Sequence, residues 1–394
     1  MRRVSSVAVG LAVVSLAAFA QNQTGKPLDI YVIDCEGGHA TLYVAPNGET
    51  LLEDTGNPGG RDTDRIMEAI GAAGVKQIDH LILTHYHVDH VGGLADLAKR
   101  IPIKHYIDHG PTTEPQEQVA NFQKTYAELY SQAKHTVVKP GDKLTLGPVD
   151  VTVVTSAGQV IKKPLPGGGQ PNPACSEFQP RDESAVQEEN RQSVGVVYTY
   201  GKFRHINLGD FTWNLEKELM CPNNPIGKVD LYLTSHHGIE QSGSPALVHG
   251  LRPEVAIMHN SSRKGGVVQT MNMLWTSPGL QNVWQLHWAY AAGLDYNAPE
   301  LFIANLEDPA AISATLGSAG DTANSQGRGP GAVAGGAGVP AGGPGAARGR
   351  GMGGFGRGGH NSGPAYYIKV SANADGSFTV TNSRNNFSKT YNAR

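Results

Sequence analysis

Short apolar runs separated by turn residues dominate the first part of the chain. Residues 29–33, 40–45 and 49–52 are rich in β-branched, aromatic and leucine side chains, with a glycine pair and then a Pro-Asn-Gly turn between them. Such runs, bounded by glycine, proline and asparagine, are typical of strands joined by tight turns. The pattern predicts three consecutive strands that build an antiparallel sheet.

Helical and strand patterns then alternate along the chain. Residues 64–73 carry apolar side chains at helical spacing, with Asp62 or Thr63 available as the N-terminal cap. The same reading predicts a second helix at residues 94–99 and further strands at residues 80–84, 104–107, 149–154, 193–199, 204–208, 231–234 and 255–258. This alternation predicts an α/β fold in which two sheets pack together and helices cover the outside.

Three segments lack these patterns or stand apart from them. Residues 158–192 are rich in proline, glycine and charge, and are predicted to form one long loop. Residues 311–362 consist mainly of Gly, Ala and Pro with scattered Arg, which predicts a disordered, flexible linker. Arg-Gly clusters can bind nucleic acid, but a solvated spacer is the favoured interpretation. The C-terminal segment 363–394 is predicted to form a β-hairpin that docks on the main domain, residues 21–310.

The N-terminus has the order of a secretory signal peptide. Met1-Arg2-Arg3 is followed by an apolar stretch and by the small residues Ala18-Phe19-Ala20, so cleavage near Gln21 is expected. The apolar stretch is shorter than the roughly 20 residues of a membrane-spanning helix. The mature protein is therefore expected to be secreted or periplasmic in a bacterium, without a membrane anchor.

Charge and cysteine content narrow the partners and the compartment. The formal net charge is −3, and removal of Arg2 and Arg3 makes the chain more acidic. An acidic body repels polyanions, so a small-molecule substrate is expected and nucleic acid is a disfavoured partner. Of the three cysteines, Cys35 lies in an apolar run, while Cys175 and Cys221 lie in loop sequence where they could form a disulfide in an oxidising compartment.

Four side chains that can bind metal occur within six residues, directly after an apolar strand. These are His85, His87, Asp89 and His90. Alternate residues of an extended segment point the same way, so His85 and His87 can face one ion while Asp89 and His90 face a second. Histidine nitrogen and carboxylate oxygen are zinc ligands. The alternative, a set of exposed histidines with no joint role, does not explain the spacing.

This cluster resembles the metallo-β-lactamase superfamily, because its H-x-H-x-D-H signature is matched in full. The resemblance implies a four-layer αββα sandwich and two metal ions. Further motifs follow in the family's order: Glu53-Asp54-Thr55-Gly56, Asn207-Leu208-Gly209-Asp210 and Ser235-His236-His237-Gly238. The resemblance implies that Asp54 orients the ligands from behind, that Asp210 bridges both metals, and that one histidine of the last motif completes the second site. His237 is favoured because it precedes the glycine, and His236 remains an alternative.

Within the superfamily, the chain is most similar to the competence-type branch, which includes the metallo-domain of DNA-uptake channels and phosphorylcholine esterase. The likeness covers residues 28–260 and rests on Asp34–Ala40, Asn190–Val194 and the His-His-Gly motif. Two departures stand out. His39 replaces an acidic residue, and the Gly-His-Thr motif that carries a third ligand for the first ion is absent. Asn190 or Ser193 is expected to line that side of the site and to contact substrate.

The resemblance implies a metal-dependent hydrolase in which a hydroxide bridging two metals attacks an ester-like bond. Asp89 and Asp210 are the carboxylates expected to take part in catalysis. Two Zn²⁺ ions are the expected cofactor, with iron or manganese as alternatives. Arg263 and Lys264, in a polar loop after a strand, could hold an anionic group of the substrate or could be plain surface cations.

The fold alone does not name the substrate. A phosphodiester or a small ester or lactone is the favoured substrate. A secreted nuclease and a non-catalytic binding module on the same scaffold are the alternatives.

Overall fold

The computed structural model of the chain describes residues 25–184, 188–310 and 365–392. The predicted signal peptide, residues 1–20, and the predicted linker, residues 311–362, lie outside the described residues. None of the helices within the described part is long and apolar enough to cross a membrane.

Strands and helices alternate through most of the described residues. The helices are α1 (Arg61–Ala72), α2 (Val88–Val91), α3 (Leu94–Arg100), α4 (Gln116–Tyr130), α5 (Glu188–Arg191), α6 (Trp213–Met220), α7 (Pro245–Leu251) and α8 (Val268–Trp275). The strands are β1 (Leu28–Val32), β2 (Thr41–Val44), β3 (Thr50–Glu53), β4 (His80–Ile82), β5 (His105–Asp108), β6 (Lys134–Val137), β7 (Lys143–Leu146), β8 (Val149–Ser156), β9 (Gln159–Val160), β10 (Gln170–Pro171), β11 (Gly195–Tyr200), β12 (Phe203–Asn207), β13 (Asn223–Asn224), β14 (Leu231–Leu233), β15 (Val255–Met258), β16 (Asn282–His287), β17 (Ile303–Asn305), β18 (Ile368–Ala372), β19 (Phe378–Asn382) and β20 (Ser388–Tyr391). Short 3-10 helices add Pro173–Glu177, Ser235–Gly238, Tyr290–Ala292 and Glu300–Phe302.

The first sheet joins the two ends of the described chain. Its strand order is β20-β19-β18-β1-β2-β3-β4-β5-β6. Strands β1 to β3 pair antiparallel, as their turns predict, whereas β3, β4, β5 and β6 pair parallel across helical connections. The C-terminal segment, expected as a two-stranded hairpin, forms three strands, and β18 pairs antiparallel with β1.

The second sheet has the order β17-β16-β15-β14-β12-β11-β8-β7, with β9 paired to β8. Strands β12, β14, β15, β16 and β17 run parallel, so their carboxyl ends lie at one edge. Strands β10 and β13 form a separate two-stranded sheet.

Three clusters of buried apolar side chains hold the layers of the fold together. One lies between the two sheets and includes Tyr43, Tyr198 and Trp284; the others lie under the helices on the outer face of each sheet. Burying a large apolar side chain contributes roughly 1.5–3 kcal/mol, so all three clusters support the packing. The expected four-layer α/β sandwich is confirmed.

Local details differ from the sequence predictions. The expected cap of α1 by Asp62 or Thr63 is wrong: Gly60 is the N-cap, no side chain caps the helix, and Asp62 Oδ2 instead accepts a hydrogen bond from the Asn57 backbone N–H at 2.7 Å. Helix α4 was not predicted, because it buries few side chains and its apolar pattern is weak. The predicted long loop at 158–192 contains β9, β10, a 3-10 helix and α5.

A disulfide joins Cys175 to Cys221, which are 46 residues apart in sequence. It ties the 3-10 helix at Pro173–Glu177 to the end of α6. Cys35 is buried and free. The structure therefore contains the pairing that the loop context had suggested.

A buried ion cluster connects the two sheets near the end of β1. Asp34 Oδ1 lies 2.8 Å from His287 Nε2 at the end of β16, and Asp34 Oδ2 lies 3.0 Å from an Arg65 nitrogen on α1. Burial alone would raise the pKa of Asp34, but His287 and Arg65 lower it below its usual value. Burial alone would lower the pKa of His287, but Asp34 raises it. The cluster therefore holds both groups charged.

His287→Ala is expected to lower the free energy of unfolding by about 1.5–3 kcal/mol, because a buried hydrogen bond between charged groups is lost. The His287 contribution is complete below the pKa of an unfolded histidine, about 6.5, and is lost as pH rises through the raised pKa of the folded state. The Asp34 contribution is complete above its unfolded pKa, about 3.9, and is lost as pH falls through its lowered folded pKa. Urea unfolding of both proteins should therefore show the largest difference at about pH 5–6 and a smaller one at about pH 9. The pair of His249, which is largely buried, and Glu177, which is exposed, supplies the control: an ion pair open to solvent contributes less than about 1 kcal/mol, so the cost of His249→Ala should vary little with pH. A destabilisation by His287→Ala that is constant from pH 5 to 9 would contradict the assignment.

Candidate metal centre

The predicted ligands, and Asp54 behind them, come from loops at the carboxyl ends of strands. Asp54 follows β3, the segment from His85 to His90 follows β4, Asp210 follows β12, and the His236-His237 pair follows β14. Because β3 and β4 pair parallel, and β12 and β14 do so in the other sheet, these strand ends meet at one edge of the sandwich. The topology therefore collects residues that lie up to 183 positions apart, from Asp54 to His237.

Asp210 lies at the centre of the cluster. Its Oδ1 is 3.3 Å from His90 Nε2, and its Oδ2 is 3.3 Å from His236 Nε2, 3.4 Å from His237 Nε2 and 3.8 Å from His85 Nε2. Burial alone would raise the pKa of Asp210, but the surrounding histidines hold it well below its usual value. This carboxylate therefore touches both halves of the histidine set.

One half of the centre is built by Asp89, His90 and His237. Asp89 Oδ2 lies 3.3 Å from His237 Nε2 and 3.7 Å from His90 Nε2, and the two histidine nitrogens lie 3.3 Å apart. One potential ligand atom from each residue falls within 4.8 Å of the others. With Asp210 beside them, these three side chains form a compact group suited to a cation.

The other half is built by His85 and His87. His85 Nε2 lies 3.0 Å from His87 Nδ1, and His85, His90 and Asp210 form a second group within 4.8 Å. On its far side, His87 Nε2 lies 3.1 Å from Glu114 Oε1. Glu114 therefore fixes the ring so that Nδ1 faces His85.

The hydrogen bonds on the outer side of each ring test whether the residues fit metal ions. His90 Nδ1 lies 2.7 Å from Asp54, His237 Nδ1 lies 3.2 Å from the carbonyl of His259, and His85 Nδ1 lies 3.1 Å from the Thr84 hydroxyl, which itself donates to Asp54. A neutral imidazole that donates outward has only a lone pair to direct inward. Inward-facing lone pairs and two carboxylates would repel one another unless positive charge lies among them.

The pKa of His90 also indicates that the centre favours positive charge. Burial by itself would lower its pKa, but Asp210, Asp54 and Asp89 raise it well above the usual value. The pocket thus favours a cation at its centre, and nitrogen with carboxylate oxygen is the donor set of zinc and related divalent ions. The residues present fit the expected metal pair, with more donors on the Asp89 side than on the His85 side.

Asp54 lies behind the ligands. Its Oδ1 accepts from the Thr84 backbone N–H at 2.8 Å, and its Oδ2 accepts from the Thr84 hydroxyl at 2.7 Å and contacts His90. The same Oδ2 lies 3.0 Å from His39 Nδ1. This position suits the orienting role expected for Asp54.

The His236-His237 turn is strained. His236, His237 and Gly238 have φ values of 52°, 55° and 80° in succession. The left-handed region costs a residue with a side chain roughly 1–2 kcal/mol, so the surrounding packing must impose this turn. It directs both rings at Asp210, but among the described contacts only His237 also reaches Asp89. Both candidates of the sequence analysis are therefore adjacent to the centre, with His237 the better placed.

The residues expected to contact substrate fall in different places. The Lys264 ammonium contacts Asp89 Oδ2 and donates to the carbonyl of Gly37 at 2.7 Å, so its charge is already partnered. The Arg263 guanidinium is exposed and lies 5.1 Å from the centre of the Tyr290 ring, and no ion pair of the described residues includes it. Of this pair, Arg263 is the cation that faces solvent.

Asn190 and Ser193 lie beside the Asp210 turn. The Ser193 hydroxyl donates to the carbonyl of Asn190 at 2.8 Å and accepts from the Asp210 backbone N–H at 3.2 Å. Asn190 is buried, and its side-chain oxygen has no hydrogen-bond partner among the described residues. Ser193 therefore holds the turn, while Asn190 keeps a free acceptor.

Sequence reasoning missed several residues around the centre. Glu114 lies in the loop after β5, which pairs parallel with β4, so its place at a strand tip on the same edge was the available signal. Glu189 accepts from the Tyr86 backbone N–H at 3.1 Å and from the Thr113 backbone N–H at 2.7 Å, and so joins the histidine segment to the loop that carries Glu114. No local pattern marks Glu189.

Comparisons with known proteins agree with this architecture. Residues 33–170, which include the whole His85–His90 segment, match the family model described as the Metallo-beta-lactamase superfamily. The chain is 27% identical over 196 residues to the ComE operon protein 3 of Bacillus subtilis, covering 49% of this chain and 21% of that protein. It is 32% identical over 121 residues to a Ribonuclease Z of Methanopyrus kandleri, covering 30% of this chain and 39% of that protein.

The chain thus spans well under half the length of these curated relatives. Among solved structures, the metallo-beta-lactamase fold protein YhfI of Bacillus subtilis superposes with a TM-score of 0.41 at 16% identity, over 66% of this chain and 96% of that one. The diiron β-hydroxylase CmlA of Streptomyces venezuelae gives a TM-score of 0.38 at 17% identity, over 59% and 45%. The histidine signature, the matched family model and the two-sheet architecture lead to one identification: the chain contains a domain of the metallo-β-lactamase superfamily.

Proposed function

We propose that the protein is an exported, zinc-dependent hydrolase that cleaves an ester-like bond, with a phosphodiester or a small ester or lactone as its substrate. One observation carries this proposal: six side chains from three separate strand tips, Asp210 among them, form one connected cluster. They are His85, His87, Asp89, His90, Asp210 and His237. Export rests on the signal-like N-terminal sequence.

The residues around the metal centre have different proposed roles. Asp89, His90 and His237 with Asp210 would hold one ion, and His85 and His87 with Asp210 the other. Bound ions would supply Lewis acidity and lower the pKa of a coordinated water. Lys264 keeps Asp89 ionised, since its charge lowers the pKa of that carboxylate against the effect of burial. Asp54 and Glu114 hold the rings of His90 and His87 in orientation.

Substrate recognition is assigned to Arg263. Arg263 is exposed, its guanidinium lies 5.1 Å from the centre of the Tyr290 ring, and it is next in sequence to Lys264, which contacts Asp89. A planar guanidinium binds phosphate and carboxylate oxygens with two parallel hydrogen bonds. This position favours a substrate that carries negative charge, as a phosphodiester does.

A nuclease is the second candidate. The similarity to a protein named Ribonuclease Z favours it, although that match covers only 39% of that protein. The net charge of −3 opposes extended nucleic acid, because such binding relies on clustered Lys and Arg. The small diester therefore remains the first choice.

The test is a substrate panel on the purified full chain. Zinc-loaded protein is assayed against bis(4-nitrophenyl) phosphate, a lactone, a thioester, a β-lactam and a short RNA, each with and without a chelator. We expect chelator-sensitive hydrolysis, fastest on the phosphodiester or the lactone. We also expect Arg263→Ala to raise KM for anionic substrates about tenfold, or roughly 1.4 kcal/mol, with little change in kcat.

Two controls test whether the effect of Arg263→Ala is specific to this arginine and to anionic substrates. Arg252→Ala removes an exposed arginine elsewhere and should leave KM unchanged. A neutral lactone should be insensitive to Arg263→Ala. Protein that contains no metal by elemental analysis and shows no chelator-sensitive turnover would remove the hydrolase proposal and leave a non-catalytic binding module. RNA cleaved faster than every small ester would favour the nuclease.

A further inference from the structure

A buried asparagine connects the two sheets directly beneath the metal centre. Asn207 ends β12, three residues before Asp210, and is 2% exposed. Its Oδ1 accepts from the Gly209 backbone N–H at 3.1 Å, which fixes the orientation of the amide. Its Nδ2 therefore donates, and it lies 2.7 Å from Glu53 Oε2 and 3.1 Å from His39 Nε2. Every polar atom of this side chain is used.

His39 continues the connection into the other half of the site. His39 Nε2 accepts from Asn207, and His39 Nδ1 lies 3.0 Å from Asp54 Oδ2, a close polar contact that is not aligned as a hydrogen bond. The ring lies nearly parallel to that of His90, at 9° and 5.6 Å between centres, and 4.2 Å from that of His259. His39 thus touches both Asp54 and the ring that Asp54 holds.

Glu53 anchors the asparagine from below. This carboxyl is fully buried and also accepts from Tyr198 at 2.8 Å, while Tyr43 lies 2.7 Å away. The Tyr43 oxygen lies 3.0 Å from His205 Nε2, and His205 Nδ1 must donate to the carbonyl of Leu231. Neutral His205, neutral Tyr43 and ionised Glu53 together carry one proton too few to make all of these hydrogen bonds. The cluster must therefore hold one additional proton. The cluster is therefore neutral overall, and it holds Asn207 without adding charge beneath the ligands.

We propose that His39 and Asn207 form a positioning pair that sets the spacing between the His90 side and the Asp210 side of the metal centre. Asp54 and His90 lie in segments that follow β3 and β4 of the first sheet, and Asp210 and His237 in segments that follow β12 and β14 of the second. Apolar packing between the sheets is not directional, so by itself it does not fix the distance between the two sheets precisely. Metal coordination requires ligand distances to be correct within about 0.2 Å. The hydrogen bond between Asn207 and His39 is a directional contact across that interface; His39 packs against Asp54 at one end, and Asn207 holds Gly209, next to Asp210, at the other. The inference rests on the metal centre of the proposed function but not on any substrate.

The test measures metal binding rather than turnover. Metal-free wild-type protein, His39→Ala, Asn207→Ala and the double variant are titrated with Co²⁺, with affinity from calorimetry and ligand geometry from the visible absorption spectrum. Each single variant is expected to bind about 10–100-fold more weakly and to show a shifted spectrum. The double variant should bind about as weakly as either single one, because both break the same link. If the alanine variants do not fold, His39→Gln and Asn207→Ser replace them. These variants retain a polar side chain, and each should weaken Co²⁺ binding by a smaller factor than the alanine variant.

Asn382→Ala is the matched control. Asn382 is fully buried and donates to the carbonyls of Leu301 and Ile303, and none of its described hydrogen bonds reaches a candidate ligand. Its loss should lower Tm but leave Co²⁺ affinity and spectrum unchanged. Wild-type affinity and spectrum in both single variants, or additive losses in the double variant, would overturn the positioning role while leaving the proposed function in place. A wild-type chain that binds no Co²⁺ would remove the proposed function and this inference together.

Discussion

Asp210→Ala is expected to remove metal binding from both halves of the centre and to lower kcat/KM by more than about 10³-fold. The reason is geometric, since one buried carboxylate lies within 3.8 Å of nitrogens from His85, His90, His236 and His237. Removing one preorganised hydrogen-bond donor from an active site costs about 10²–10³-fold, and this change would remove a carboxylate that faces both candidate metal sites, so its effect should be larger. Elemental analysis, Co²⁺ titration and turnover on the best substrate of the panel measure the effect.

The matching control for this prediction is Asp210→Asn. It keeps the shape of the side chain and removes its charge, so it should fold with a Tm close to wild type and still lose metal. An Asp210→Ala protein that retained two ions per chain and more than a tenth of the wild-type rate would contradict the central position of Asp210. Loss of metal only from variants that also fail to fold would not support it.

His237→Ala is expected to weaken metal binding by more than about 100-fold, whereas His236→Ala should weaken it by less than about tenfold. His237 Nε2 faces Asp89, Asp210 and His90, all within 3.4 Å, whereas His236 Nε2 is described only against Asp210. Removing a group that only orients a ligand costs about 10–100-fold, so loss of a ligand itself should exceed that range. Competition titrations with a chromogenic chelator would measure both variants.

Both histidines occupy the left-handed region, so backbone strain affects the two variants alike. His236→Gly and His237→Gly relieve this strain and separate it from ligation, because glycine adopts positive φ without cost. Equal losses of affinity in the two alanine variants would contradict the assignment of His237. A larger loss for His236 would reverse it.

Much of the fold could be predicted from the sequence because its signals are local. The apolar runs that became β1 to β4, β11, β12, β14 and β15 were recognisable from composition and turn residues alone. Helix α4 was not predicted because it buries few side chains, and β16, also not predicted, follows α8, whose apolar pattern is equally weak. Within residues 158–192, β9 packs against α6, β10 pairs with β13, and the 3-10 helix packs against α7 and carries the disulfide; such distant contacts leave no periodic pattern in the sequence.

The candidate site divides in the same way. His85, His87, Asp89 and His90 lie within six residues, so strand alternation alone suggests that they share a purpose. Asp210 and His237 were placed by likeness to a family, since nothing local relates them to residue 85. The partner of Lys264 was not foreseen: the expected substrate contact is a neighbour of Asp89, because the loop that follows β15 folds back over Gly37.

The amino-acid sequence by itself determined the alternation of strands and helices, the metal-binding character of the His85–His90 segment and the acidic charge that disfavours polyanions. Only the tertiary structure decided that Glu114 orients His87, that His39 and Asn207 link the two sheets, and that His237 lies closer to Asp89 than His236 does. The physical reason is the distance along the chain over which each effect acts. Periodicity and turn chemistry act over a few residues, whereas the distance between two remote side chains is set by how the two sheets pack and which strand ends meet.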